Sequence, residues 1–139
     1  MSIVTDYPTA SEARAHLKDV LDSNARGITV TVRRDDLVSA VVPADRLRDH
    51  LTHAVPARVS LLSEGGGVVA IMEGRPFVSE GATVEEALGD LILSLREYAE
   101  DWDDHLRNAP NHAGNWALVQ LVKLSTDEEL IDWFKQDRG

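Results

Sequence analysis

ITVTVRRDDLVSAVVPADRL, residues 28–47, decides the reading of this chain. Ile28–Val32 alternates β-branched residues, as a strand with one buried face does. Leu37–Val42 is a second such run, and Arg33, Arg34, Asp35 and Asp36 between them form a polar turn. The two runs therefore predict a hairpin. Pro43 suits the first position of a helix, so a short helix is expected over Ala44–His50.

Upstream, Thr9 and Glu12 have the spacing of a capping box, in which hydroxyl and carboxylate satisfy free N–H groups at a helix start. Ala10, Ala13, Leu17, Val20 and Leu21 follow at helical spacing, a stripe expected to hold one helix to its core. Asn24–Gly27 supplies the stop. Ile3–Tyr7 is a β-prone run closed by Pro8. The first domain, residues 1–53, thus reads β-α-β-β-α.

Downstream, His53–Pro56 is the expected linker, and residues 58–139 form the second domain. Val59–Leu62 and Val68–Met72 flank the glycine-rich connection Ser63–Gly67, and Phe77-Val78 is a short third strand. Thr83 and Glu86 open a long helix whose stripe is Val84, Ala87, Leu88, Leu91, Ile92, Leu95, Ala99, Trp102 and Leu106. Asn108–Asn115 is a loop, Leu118–Val122 a candidate strand, and Ser125 with Glu128 a third capping box before a final helix. The fold class is α+β, with a short antiparallel sheet packed on a long helix.

Of 139 residues, 43% are hydrophobic and 27% charged, and there is no cysteine. Disulfides, thiolate metal sites and thiol catalysis are excluded. No stretch approaches the ~18 apolar residues of a membrane span. The segment MSIVTDYPT lacks the cationic start and apolar run of a secretory signal, so a cytoplasmic location is expected. The formal net charge of -10 is unevenly placed. Residues 1–57 hold seven Lys/Arg against eight Asp/Glu, and residues 58–139 hold seven against sixteen. The acid belongs to the second half, which implies halves with different partners.

Catalytic patterns are weak. A phosphate loop needs a lysine and a hydroxyl heading a helix after its glycines, whereas a strand follows Gly65–Gly67. Asp101, Asp103, Asp104 and His105 cannot share one helix face, so at most Asp101 converges with Asp104 or His105. The histidines show no zinc-type spacing, and no nucleophile elbow is present. No enzyme activity, metal or cofactor is expected.

TASEARAHLKDVLDSN (9–24) followed by the opening stretch resembles the Phd/YefM (prevent-host-death) antitoxin family over about residues 3–51. The resemblance lies in Ser11-Glu-Ala-Arg14, the strand carrying Arg33, and the second strand leading into Pro-Ala-Asp-Arg-Leu47. It implies a dimeric DNA-binding repressor of its own operon that also neutralises a toxin. By the same resemblance Arg14 and Arg33 contact operator DNA, Arg34 is their neighbour, and Thr9 and Ser11 donate to phosphate. Asp35-Asp36 departs from the glycine-containing turn of many members, and two acids beside DNA weaken affinity. Lys18 reads as a surface charge.

VSLLSEGGGVVAIMEGRPFVSEGATVEEALGDLILSLREYAEDW (59–102) resembles the HicB-like antitoxin fold, in its short strands, its SEG turn and T-x-E-E-A-L opening a long helix. The resemblance implies an acidic, folded toxin-binding module. A basic ribonuclease, RelE-like as a first expectation, is the implied toxin. Acidic charge would speed its association. Trp116, Trp133, Phe134, Asp101 and Asp104 are the candidate toxin contacts, although Trp133 and Phe134 also lie where a helix packs its core. Leu118–Val122 is a candidate to pair with a toxin's sheet edge. The expectation is a type II antitoxin: a homodimer through the first domain, partnered by operator DNA and a cognate toxin, with no membrane. The alternative is a protein-binding inhibitor or scaffold without DNA binding.

Overall fold

The computed structural model describes residues 5–136. The chain is α+β and divides into two compact units, one up to Leu47 and one from Arg48 onward.

In the first unit, Thr9 caps α1 (Ala10–Ala15), its Oγ1 accepting the Glu12 N–H at 3.1 Å. The single helix expected from Thr9 to Leu21 is two. His16 leaves helical geometry at φ -118°, ψ 26°, and α2 (Leu17–Ala25) starts anew. No glycine or proline marks this break. The His16 ring stacks on Tyr7 with centroids 6.0 Å apart. The expected apolar stripe is also broken: Val20 is 2% exposed, while Leu17 and Leu21 are each 55% exposed.

The hairpin forms as β1 (Val30–Arg34) and β2 (Leu37–Val41), paired Val30 to Val41 through Arg34 to Leu37. Asp35 takes the turn at φ +53°, a left-handed conformation that aspartate tolerates better than most side chains. Of the expected strand at Ile3–Tyr7, residues 3 and 4 lie outside the described residues. Tyr7 makes an isolated parallel bridge to Val32. Asp6 and Thr31 exchange bonds of 2.9 Å between side chain and backbone, fixing this segment beside β1.

α3 runs from Ala44 to Ala54, longer than expected. His53 and Ala54, placed in the linker by the sequence, are its last turn. The next residues are not a loose tether: Val55 and Ala57 are buried.

The second unit carries the antiparallel sheet β3 (Val59–Glu64), β4 (Gly67–Met72) and β5 (Phe77–Gly81), in that order. Gly65 and Gly66 turn between β3 and β4, both at positive φ, the geometry tight hairpins require. The long helix α4 (Val84–Asp101) begins at the Thr83 cap and packs on β4 and β5. Gly81 permits the approach: a Cβ there would lie 2.5 Å from that of Glu86. Ala87, Leu88, Leu91, Ile92, Leu95 and Ala99 are buried, as their spacing predicts, while Val84, expected on the same stripe, is exposed in the first turn. A π-helical turn, Trp102–Leu106, extends α4.

Leu118–Val122 is not a strand. It lies in α5 (Trp116–Leu124), with Leu118, Val119, Leu121 and Val122 all buried. A short, continuously apolar run has no period to separate buried helix from buried strand. The last helix, α6 (Asp127–Lys135), has its capping box one residue later than expected, with Thr126 and Glu129. Ser125 is instead buried, its hydroxyl donating to the Leu121 carbonyl at 2.7 Å. The Arg96 guanidinium joins α4 to this corner, bonding the Ser125 carbonyl at 2.9 Å and Asp127 at 2.7 Å.

Candidate functional surfaces

The cations of the first unit differ in whether they are paired with an acid. Arg14, on the last turn of α1, is exposed and has no ion pair among the described residues. Lys18, four residues on, is paired with Asp22 at 3.0 Å. Arg33 and Arg34 also have no ion pair among the described residues, but they do not share a surface. Strand alternation sends Arg34 to the side of Val32 and buried Val30, and Arg33 to the opposite side with Thr31. The structure therefore separates two arginines that the sequence shows as neighbours. Thr9 is already engaged as the α1 cap acceptor. Ser11 is exposed.

The same unit has little core. Among the described residues Val20 and Val30 are its fully buried apolar side chains, while Leu17, Leu21, Ile28 and Leu37 are each about half exposed or more. A two-stranded hairpin is marginal in water without a hydrophobic partner for its face.

In the second unit, Trp133 and Phe134 are each 1% exposed, with ring centroids 5.7 Å apart. They are core residues and offer no surface to a partner. Trp116, at the start of α5, is 52% exposed. Asp101 is exposed, and Asp104 bonds His105 Nδ1 at 3.1 Å. Among the described residues, no three carboxylates or histidines gather to hold a metal. No helix there is long and apolar enough to cross a membrane.

The sheet adds a surface that the sequence reading missed. One face, with Val59, Ala70, Met72 and Ser79, lies under α4. The register places Leu62, Val69, Ile71 and Val78 together on the other. Leu62 is 52% and Val78 62% exposed. Glu64 and Glu80, on the same face, line a hollow of about 430 Å³ with Gly67 and Val69. An apolar patch with an acidic border suits a partner carrying cations beside hydrophobic residues. The alternation of β3, β4 and β5 contained this signal, but only the strand register aligns it.

The fold has a solved counterpart. The chain superposes with a TM-score of 0.74 on the 1.80 Å crystal structure of an antitoxin part of a proposed toxin/antitoxin system from Syntrophomonas wolfei subsp. wolfei. The two are 23% identical, and the match covers 93% of this chain and 96% of that one. No family model matches the sequence. No curated protein matches it either.

Proposed function

We propose that this protein is the antitoxin of a toxin–antitoxin pair, acting by stoichiometric binding. The likeness of fold to an antitoxin over 93% of the chain carries the reading. The second unit masks the toxin, with Leu62, Val69, Ile71 and Val78 as the apolar contact and Glu64 and Glu80 steering a basic protein. A ribonuclease, RelE-like first, fits this charge. Trp116, Asp101 and Asp104 are further exposed candidates.

The first unit, of Phd/YefM type, forms a homodimer through Leu17, Leu21, Ile28 and Leu37. Its Arg14 and Arg33 contact operator phosphates and so repress the antitoxin's own operon. A two-fold dimer presents each cation twice, and each phosphate contact releases counterions. The second unit is the HicB-like, toxin-binding one, and the complex is cytoplasmic.

Expression of the neighbouring reading frame tests the pairing. Its product should arrest growth alone, and this chain should relieve the arrest and co-elute with it. Arrest without relief would sink the reading. A second reading is supported by Asp35 and Asp36 at the hairpin tip: a protein-binding inhibitor without DNA binding. A gel shift on upstream DNA separates the two, since the inhibitor gives no shift at low salt with or without its partner.

A further inference from the structure

Two cavities in the second unit meet at the same residues. One, about 220 Å³, is lined by Arg75, Pro76, Phe77, Tyr98, Asn111, His112 and Asn115. The other, about 350 Å³, is lined by Pro56, Arg58, Glu73, Gly74, Arg75 and Asn115. Arg75 and Asn115 belong to both, so the two form one groove.

The groove sets two guanidiniums, Arg58 and Arg75, against one carboxylate, Glu73, in an otherwise acidic unit. Arg75 is half-buried, donates one bond of 3.3 Å to the Pro56 carbonyl, and has no carboxylate partner among the described residues. Burial, and then the neighbouring Arg58 guanidinium, lower its pKa from the ordinary arginine value. Both effects disfavour its charge, and an anion beside it would offset the repulsion from Arg58. Arg58 is held at φ +52°, a left-handed conformation that is uncommon for a long side chain.

Beside this charge stands an aromatic wall. Phe77 meets Tyr98 edge to face with centroids 5.3 Å apart. Asn115 Nδ2 donates to the Tyr98 hydroxyl at 2.8 Å. That hydroxyl is also hydrogen-bonded to His112 Nδ1 at 2.8 Å. The Trp102 indole fixes the loop through the His112 carbonyl at 2.8 Å. Asn115, just before α5, makes no side-chain capping bond to that helix.

We propose that this groove binds a small anion bearing a flat ring, of the nucleoside monophosphate class. The phosphate sits between Arg58 and Arg75, and the ring lies against Phe77 and Tyr98 within reach of the Asn111 and Asn115 amides. Arginine forks match phosphate oxygens, and aromatic faces hold bases. The site is independent of the antitoxin reading and of DNA binding by the first unit.

Calorimetric titration of the full chain with AMP, GMP, CMP and UMP tests it, with inorganic phosphate and adenosine as separate arms. At least one monophosphate should bind tenfold or more tightly than either phosphate or adenosine alone. Arg75→Gln should weaken it at least tenfold. Arg58→Gly, which removes the cation at a position whose backbone favours glycine, should weaken it too, with circular dichroism showing the variant folded. No binding by any monophosphate, binding as tight by phosphate alone, or binding unchanged in Arg58→Gly would each overturn the proposal.

Discussion

Trp133, on α6, donates its indole N–H to the carbonyl of Val55 at 2.8 Å, joining residues 78 positions apart. Both partners are buried, so the last helix is anchored on the segment that follows α3. Trp133→Phe keeps most of the ring and removes the donor. The Val55 carbonyl then loses its partner, a loss of about 1–3 kcal/mol. Urea unfolding followed by far-ultraviolet circular dichroism measures it, and an unchanged midpoint would refute the anchor.

Glu129 is the acid-sensitive point of α6. The Thr126 N–H donates to its carboxylate at 2.9 Å, and this bond, ahead of the opposing desolvation, holds its pKa below the usual glutamate range. Arg48, 2.8 Å away, adds to the lowering. The depressed pKa makes the contribution present above the unfolded value, ~4.3, and lost as pH falls through the folded value. Glu129→Gln should therefore melt below the parent at pH 7, with the gap closing by pH 3. A constant gap would show that the charge is not involved.

Arg14→Ala should abolish a gel shift on the upstream DNA and leave capture of the toxin intact. Arg33→Ala should weaken the shift, and Arg34→Ala, on the other side of β1, should weaken it less. Each lost phosphate contact should also reduce the salt dependence of binding, by about one unit of slope per contact. Equal effects of Arg33→Ala and Arg34→Ala would contradict the strand alternation as the basis of the surface.

The exposed leucines of the first unit predict an oligomer. Leu17→Glu with Leu37→Glu should shift the chain from dimer to monomer in sedimentation equilibrium. A parent that is monomeric throughout the micromolar range would remove the dimer.

Val78→Glu should block co-elution with the toxin. Val78 is 62% exposed, so the same change should alter stability by no more than about 0.5 kcal/mol. Unimpaired co-elution would place the toxin elsewhere.

The elements with a clear period were legible in the sequence. The α4 stripe from Ala87 to Trp102 is buried as its spacing requires, and the two alternating runs pair as a hairpin, although Arg33 and Arg34, expected in the turn, end β1. Leu118–Val122 carries no period, because burial on all sides erases the contrast that distinguishes helix from strand. The break at His16 is illegible for another reason: no glycine or proline marks it, and the ring contact of His16 with Tyr7 joins residues nine apart. Of the candidate contacts, Trp116 and Trp133 are both tryptophans on helices, and only tertiary packing makes one half exposed and the other 1% exposed. The groove around Arg75 joins residues from Pro56 to Asn115, a grouping that sequence spacing cannot show.

The small core of the first unit, Val20 and Val30 among the described residues, has a consequence for control. On the dimer reading, its fold is completed by mass action, to the extent that another copy is near. Dilution then loosens the very surface that carries Arg14 and Arg33. The hairpin would count molecules: scarce antitoxin releases the operator through lost structure alone, before any toxin competes for it.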